Sequence, residues 1–154
     1  MKFIDEARAY QDNMIEDLRQ LVKIESVRDD AAATKEAPFG PNIAKCLDKA
    51  LEIGKRDGFK VENVDGYAGV IQYGDLDESV GVLGHLDVVP IGDGWTFNPL
   101  GGEIKDGYIM GRGTCDDKGP AIAAYYAMKI LKDKGYKLKH NIQMILGTDE
   151  ENTS

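Results

Sequence analysis

The chain has 154 residues, 42% of them hydrophobic and 30% charged, which is typical of one soluble globular domain rather than a disordered segment. Its formal net charge of −8 argues against nucleic acid as a partner, because phosphates require a basic surface. The two cysteines, Cys46 and Cys115, offer no disulfide framework, and the N-terminus lacks an apolar stretch of signal-peptide or membrane-spanning length. We therefore expect a cytoplasmic protein that does not enter the membrane.

The first part of the sequence is predicted to be mainly helical. Apolar residues recur at helical spacing over residues 2–26, and this period is lost in a predicted loop over residues 28–41. Pro41 is suited to the first position of a second helix, which Gly54 and Gly58 are expected to end.

Short strands are predicted in the remainder of the chain. Two lie at 60–64 and 69–73, and the apolar runs at 79–84 and 141–147 have the composition of strands buried on both faces. Asp106-Gly107 predicts the turn of a further hairpin.

A third helix is predicted at residues 118–134, between the two apolar strands. Helices that alternate with apolar strands are typical of an α/β fold. We therefore predict a mostly parallel sheet with helices on both faces.

Three polar clusters follow predicted strands or the hairpin, and ligands in such folds gather at the carboxyl ends of strands. In the first cluster, His85 and Asp87 share one face because alternate strand residues do. A metal-binding imidazole is usually oriented by a carboxylate, but residues so close in sequence can bond only if the chain bends. A strand-end histidine beside a solvated aspartate is the alternative.

The second cluster places Asp116 and Asp117 in a glycine-rich segment at a helix N-terminus, where the macrodipole favours anions. An ordinary helix cap is the alternative. A phosphate-binding loop is disfavoured, because the third glycine of a dinucleotide fingerprint is missing and a carboxylate would repel phosphate.

The third cluster consists of the consecutive acids Asp149, Glu150 and Glu151. Three carboxylates are costly to bury unless they are paired. Either a bound cation or exposure to solvent would satisfy them. His140 precedes this cluster in a polar segment and is predicted to be a surface histidine.

Taken together and in this order, the three clusters resemble the co-catalytic zinc family of aminoacylases, dipeptidases and carboxypeptidases. The motifs are His-Leu-Asp-Val-Val-Pro, Gly-Arg-Gly-Thr-Cys-Asp-Asp-Lys-Gly and Asp-Glu-Glu. The resemblance covers essentially the whole chain and looks closest to the bacterial dipeptidase (peptidase V) branch.

The resemblance implies a role for one or two residues of each motif. His85, Asp116 and Glu151 resemble metal ligands, and Asp116 would bridge two metals. Asp87 resembles the carboxylate that orients His85, and Glu150 resembles the general base. No ligand role is carried over to Asp117, although the family's pattern implies a cis peptide after the bridging aspartate.

The implied reaction is the hydrolysis of dipeptides by water activated between two zinc ions, with Mn²⁺ or Co²⁺ as alternative metals. Two metals about 3.5–4 Å apart lower the pKa of such a water, and a glutamate then accepts its proton. Small peptides are thus the expected substrates. Deacylation of N-acyl amino acids or of N-succinyl-diaminopimelate is an alternative, because the same motifs serve these reactions.

The resemblance also implies that residues 1–154 are the N-terminal part of a catalytic domain. One more acidic ligand, one more histidine ligand and a lid domain would lie further along the chain. Two ligands per metal are fewer than the three of an ordinary catalytic zinc site, so this chain alone is expected to be inactive. It would then be a folding or self-association unit that exposes apolar sheet surface.

Overall fold

The computed structural model describes residues 2–152 and has four α-helices and six β-strands in that range. None of these helices has the length and apolar character needed to cross a membrane. The helices are α1 (Lys2–Arg8), α2 (Gln11–Val22), α3 (Pro41–Arg56) and α4 (Lys118–Asp133). The strands are β1 (Lys60–Val64), β2 (Ala68–Tyr73), β3 (Ser79–His85), β4 (Glu103–Lys105), β5 (Tyr108–Met110) and β6 (Asn141–Gly147).

The helix predicted over residues 2–26 is two helices, and the break between α1 and α2 has a packing reason. Tyr10 lies at the break, where its ring packs edge-on against Tyr126 of α4 at 6.3 Å and its hydroxyl donates to Asp133 at 3.1 Å. A continuous helix follows from periodicity alone, whereas the break depends on these contacts with a distant helix.

The main sheet is mixed, with the strand order β1-β2-β6-β3, so the prediction of a mostly parallel sheet is wrong. Among the described strands of this sheet, only β3 and β6 pair in parallel, and the sheet's other two pairings are antiparallel. The connections explain this difference. A tight turn between β1 and β2 requires an antiparallel pair, whereas the helix α4 between β3 and β6 permits a parallel one. Strands β4 and β5 form the predicted hairpin as a separate sheet.

Of the three longer helices, α3 and α4 pack on one face of the main sheet, and α2 packs against both of them. On that face Ile71 and Met144 are paired, and both belong to the core cluster that the three helices share. Within residues 2–152 the sheet therefore differs from the predicted one with helices on both faces. Strand β3 lies at the edge of the sheet. It is not buried on both faces as predicted, since Val80 is 54% and Leu83 79% exposed.

A half-buried ion pair, in which Asp17 is buried and Arg56 reaches solvent, joins the three longer helices at one point. Asp17 of α2 accepts a hydrogen bond of 2.8 Å from each terminal nitrogen of Arg56 and one of 2.6 Å from the Tyr126 hydroxyl. Burial, aided by this hydrogen bond to a carboxylate, raises the pKa of Tyr126 above its ordinary value. Both partners of Asp17 are thus fixed by charge-assisted hydrogen bonds.

We expect Tyr126→Phe to lower the free energy of unfolding by about 1.5–3 kcal/mol, the usual worth of a hydrogen bond to a charged group. Phenylalanine keeps the ring packing of this fully buried side chain and removes only the hydroxyl. Chemical denaturation of both proteins measures the difference. Tyr108→Phe is the control, because Tyr108 is 73% exposed and surface changes usually stay within about 0.5 kcal/mol. Equal losses in the two variants would contradict a specific role for the Asp17 bond.

Candidate metal centre

The first and third polar clusters meet because β3 and β6 are adjacent parallel strands. His85 is the last residue of β3 and is paired with Gly147, the last residue of β6. The carboxyl ends of parallel strands form one edge of a sheet. The turn that carries Glu150 and Glu151 therefore begins beside His85.

The second cluster reaches the same edge through the loop that precedes α4. The peptide bond between Asp116 and Asp117 is cis, as the family resemblance implied. Asp117 occupies the N-cap position of α4, as the helix-cap alternative has it, but its side chain makes no capping hydrogen bond to that helix. Its carboxylate instead accepts a hydrogen bond of 3.1 Å from the backbone N–H of His85. Sequence reasoning missed this contact because it joins two motifs that lie 32 residues apart.

Three predicted ligands converge in space. One candidate ligand atom from each of His85, Asp116 and Glu151 lies within 4.8 Å of the other two. Nε2 of His85 is 3.1 Å from Oδ1 of Asp116 and 3.8 Å from Oε2 of Glu150. His85 is buried, whereas the side chain of Asp116 is 74% exposed. The cluster thus has a buried floor and opens to solvent.

Asp87 lies beneath this cluster and is fully buried. The chain leaves the strand after His85, so that Oδ1 of Asp87 lies 3.3 Å from Nδ1 of His85. That ring nitrogen is also 3.1 Å from the carbonyl oxygen of Asp87. Oδ2 accepts a hydrogen bond of 3.0 Å from the backbone N–H of Glu151. Asp87 therefore contacts one predicted ligand at its ring and another at its backbone.

The cluster has negative charge from its carboxylates and also an imidazole nitrogen, which together could bind a cation. Burial opposes protonation of His85. The hydrogen bond to Asp116 and the negative charge of Asp87 outweigh this effect, so the pKa of His85 is raised. Burial and the nearby charge of Asp116 raise the pKa of Glu151. Oδ1 of Asp87 makes no hydrogen bond to any residue that the structure describes. A divalent cation would relieve this crowding of carboxylates, and mixed imidazole and carboxylate donors suit zinc, manganese or cobalt.

The remaining candidates lie away from this edge. His140 precedes β6 at the opposite end of that strand, and its Nδ1 lies 3.1 Å from Oε2 of Glu78. The two cysteines are free thiols, Cys46 buried and Cys115 exposed.

A groove of about 470 Å³ opens beside the cluster. Its floor is formed by the ends of β3 and β6, and one wall carries the aromatic rings of Phe39 and Tyr67, whose centroids are 5.4 Å apart. The groove is lined by Phe39, Tyr67, Leu83, Gly84, His85, Asp117, Gly147, Thr148, Asp149 and Glu150. Polar and apolar groups thus meet next to the candidate ligands, as is usual for a small-molecule site.

Comparison with known proteins agrees with the motifs. Residues 81–154, which contain all three polar clusters, match the model of peptidase family M20/M25/M40. A provisionally named dipeptidase of Staphylococcus aureus (strain USA300) is 51% identical over 147 residues, which cover 96% of this chain. The chain spans only 31% of that relative's length.

Solved structures share the fold. Human carnosine dipeptidase 1 matches 99% of this chain with a TM-score of 0.81 and 26% identity, over 35% of its own chain. The dipeptidase Dug1p of Saccharomyces cerevisiae matches 96% of this chain and 34% of its own, with a TM-score of 0.75 and 21% identity, and supports the fold alone. The α/β fold and the family resemblance inferred from the motifs are confirmed, since residues 81–154 match peptidase family M20/M25/M40 and dipeptidases of known structure share the fold.

Proposed function

We propose that the complete protein is a metal-dependent dipeptidase and that this chain supplies the first part of its catalytic domain. The observation that carries the proposal is the convergence of His85, Asp116 and Glu151 from three separate motifs to within 4.8 Å. Small-peptide substrates are further supported by the similarity to the Staphylococcus aureus relative. We also propose a cytoplasmic location, which the two free thiols support, because cysteines stay reduced there.

The proposed ligands are His85, Asp116 and Glu151, with Asp116 shared between two metals. Asp87 fixes this arrangement, because one of its oxygens faces the His85 ring and the other accepts from the Glu151 backbone. Such outer carboxylates orient an imidazole ligand and increase its basicity. Bound zinc would supply Lewis acidity that polarises the scissile carbonyl group and favours the ionisation of water.

Glu150 is the proposed general base. Its side chain is 51% exposed and borders the groove, with Oε2 only 3.8 Å from Nε2 of His85. The carboxylate can therefore accept a proton from a water molecule in the groove and pass it to the leaving amine. Asp149 beside it pairs with Arg28, whereas Glu150 lies at the groove within reach of the His85 ring.

Metal content and peptide hydrolysis, measured on the complete protein and on this chain alone, test the proposal together. We expect two metals per complete protein by elemental analysis, with dipeptide hydrolysis that chelation removes. We expect the isolated chain to bind metal weakly and to be inactive, since it offers too few ligands per metal. An N-acetyl amino acid and an N-succinyl amino acid, assayed beside the dipeptides, separate peptidase from deacylase. A complete protein without metal and without amidase activity would overturn the proposal.

We also propose that the isolated chain self-associates. Leu83 is 79% and Val80 is 54% exposed on the edge strand β3, and an exposed apolar edge invites pairing with another chain. Sedimentation of the isolated chain over a range of concentrations tests this, and a monomer at every concentration would contradict it.

A further inference from the structure

We propose that Arg28 is a positioning residue that acts through Asp149 to hold the turn carrying Glu150 and Glu151. The catalytic part of this inference rests on the proposed function, whereas the structural part does not. Sequence reasoning assigned no role to Arg28, which lies in the segment predicted only as a loop. The chain at the end of α2 and just after it contacts all three polar clusters in turn.

The first contact is with the second cluster. Lys118 follows the Asp116-Asp117 pair and is fully buried. Its Nζ donates hydrogen bonds to the carbonyl oxygens of Leu21, at 3.0 Å, and Ile24, at 2.8 Å. The C-terminal end of α2 is thereby joined to the loop that carries Asp116.

The second contact is with the first cluster. Ser26 is fully buried, and its hydroxyl donates to the carbonyl oxygen of Leu86 at 2.7 Å. Its own carbonyl oxygen accepts from the N–H of Val88 at 3.0 Å. These two bonds hold the residues on either side of Asp87.

Arg28 makes the third contact, with the third cluster. Its Nη1 lies 2.6 Å from Oδ2 of Asp149, and its Nε lies 2.7 Å from Oδ1 of Asp30. The guanidinium carbon is also 5.2 Å from the ring centroid of Phe39. The Asp149 side chain is only 8% exposed. A pair so shielded from water on one side is held more firmly than an ordinary surface pair.

Through these contacts, residues 21–28 connect the three polar clusters, which are distant from one another in sequence. Among the described residues, Arg28 contacts the third-cluster turn at Asp149 and Asp87 contacts it at the Glu151 backbone. The proposed base Glu150 lies between these two contacts, and the proposed ligand Glu151 lies at the second. Arg28 does not itself line the groove, although its partners Asp149 and Phe39 do. We therefore expect its loss to act mainly on metal binding and kcat and less on substrate binding.

The experiment compares Arg28→Met, Arg28→Lys and the control Arg19→Met in the complete protein. Arg19 is a fair match, because its side chain is 34% exposed against 28% for Arg28 and also pairs with a carboxylate, that of Glu16. We expect Arg28→Met to lower kcat or metal affinity by roughly 10-fold to 100-fold, as is usual for groups that orient ligands. KM should stay within about twofold, Arg28→Lys should recover part of the loss, and Arg19→Met should behave as wild type.

The route through Asp149 has its own test. If Arg28 acts through Asp149, the double variant Arg28→Met/Asp149→Asn should be no worse than the more damaged single variant. Losses that multiply instead would overturn this route. A loss of activity in Arg19→Met equal to that in Arg28→Met would overturn the specific role of Arg28.

Hydrogen exchange of the backbone amides at residues 149–152 separates this inference from the proposed function. We expect Arg28→Met to speed exchange there and Arg19→Met to leave it unchanged, whether or not the protein is a hydrolase. If the wild-type protein lacks hydrolase activity but Arg28→Met still exchanges faster than wild type, the positioning role is supported and only the proposed function is overturned. An active wild type with unchanged exchange, kcat and metal affinity in Arg28→Met would overturn only the positioning role.

Discussion

Glu150→Gln in the complete protein should lower kcat for dipeptide hydrolysis by about 10²–10⁴-fold, the usual contribution of a general acid–base group. Glutamine keeps the size and the hydrogen-bonding oxygen of the side chain but cannot accept a proton at neutral pH. The proposed ligands His85, Asp116 and Glu151 are unchanged in this variant, so metal content should stay at the wild-type level. The measurement pairs steady-state kinetics with elemental analysis of the same samples.

Two further variants make this result specific. Glu151→Gln should lower metal content as well as kcat, because Glu151 is a proposed ligand. Glu78→Gln is the matched control, since Glu78 pairs with His140 and its side chain is 78% exposed, and it should leave both quantities unchanged. Wild-type turnover in Glu150→Gln would remove Glu150 as the base while leaving the metal centre in place.

The parts of the fold that could be predicted from sequence are those governed by local chemistry. Pro41 opens α3 as predicted, and the Asp106-Gly107 turn joins β4 to β5, because both depend on the backbone preferences of a few residues. The direction of strand pairing, in contrast, is not determined by the preferences of a few neighbouring residues. An apolar run reads alike in parallel and antiparallel sheets, so the pairing of β2 with β6 could not be inferred.

For the candidate site, too, only part could be predicted from the sequence. The motif order identified the residues that converge, because strand ends collect at one edge of a sheet. The geometry of the His85 and Asp87 pair required the bend after β3, which periodicity does not reveal. The Arg28–Asp149 contact joins residues 121 positions apart, and no local pattern in either segment predicts it.

Gly119→Ala should reduce activity by about 10²-fold, because even a 1 Å misplacement of a catalytic group can cost that much. A methyl group at this position would lie 1.9 Å from the carbonyl oxygen of Thr114 and 2.9 Å from its carbonyl carbon. Both obstructing atoms are backbone, so the loop must move, and that loop leads directly to Asp116. Overpacking of this kind also costs about 1–3 kcal/mol of stability. Kinetics, metal analysis and thermal unfolding of the purified variant measure the three effects.

The control for Gly119→Ala is Gly81→Ala, whose added methyl would meet only the Cδ1 atom of Ile145, at 3.9 Å. It should retain metal and activity, and equal damage in both variants would contradict a local effect on the Asp116 loop. The contrast with Glu150→Gln is the more informative one. Loss of the base should leave metal content unchanged, whereas displacement of Asp116 should lower both metal content and kcat. Gly119→Ala with full metal content and low kcat would mean that Asp116 is not a ligand on which metal binding depends.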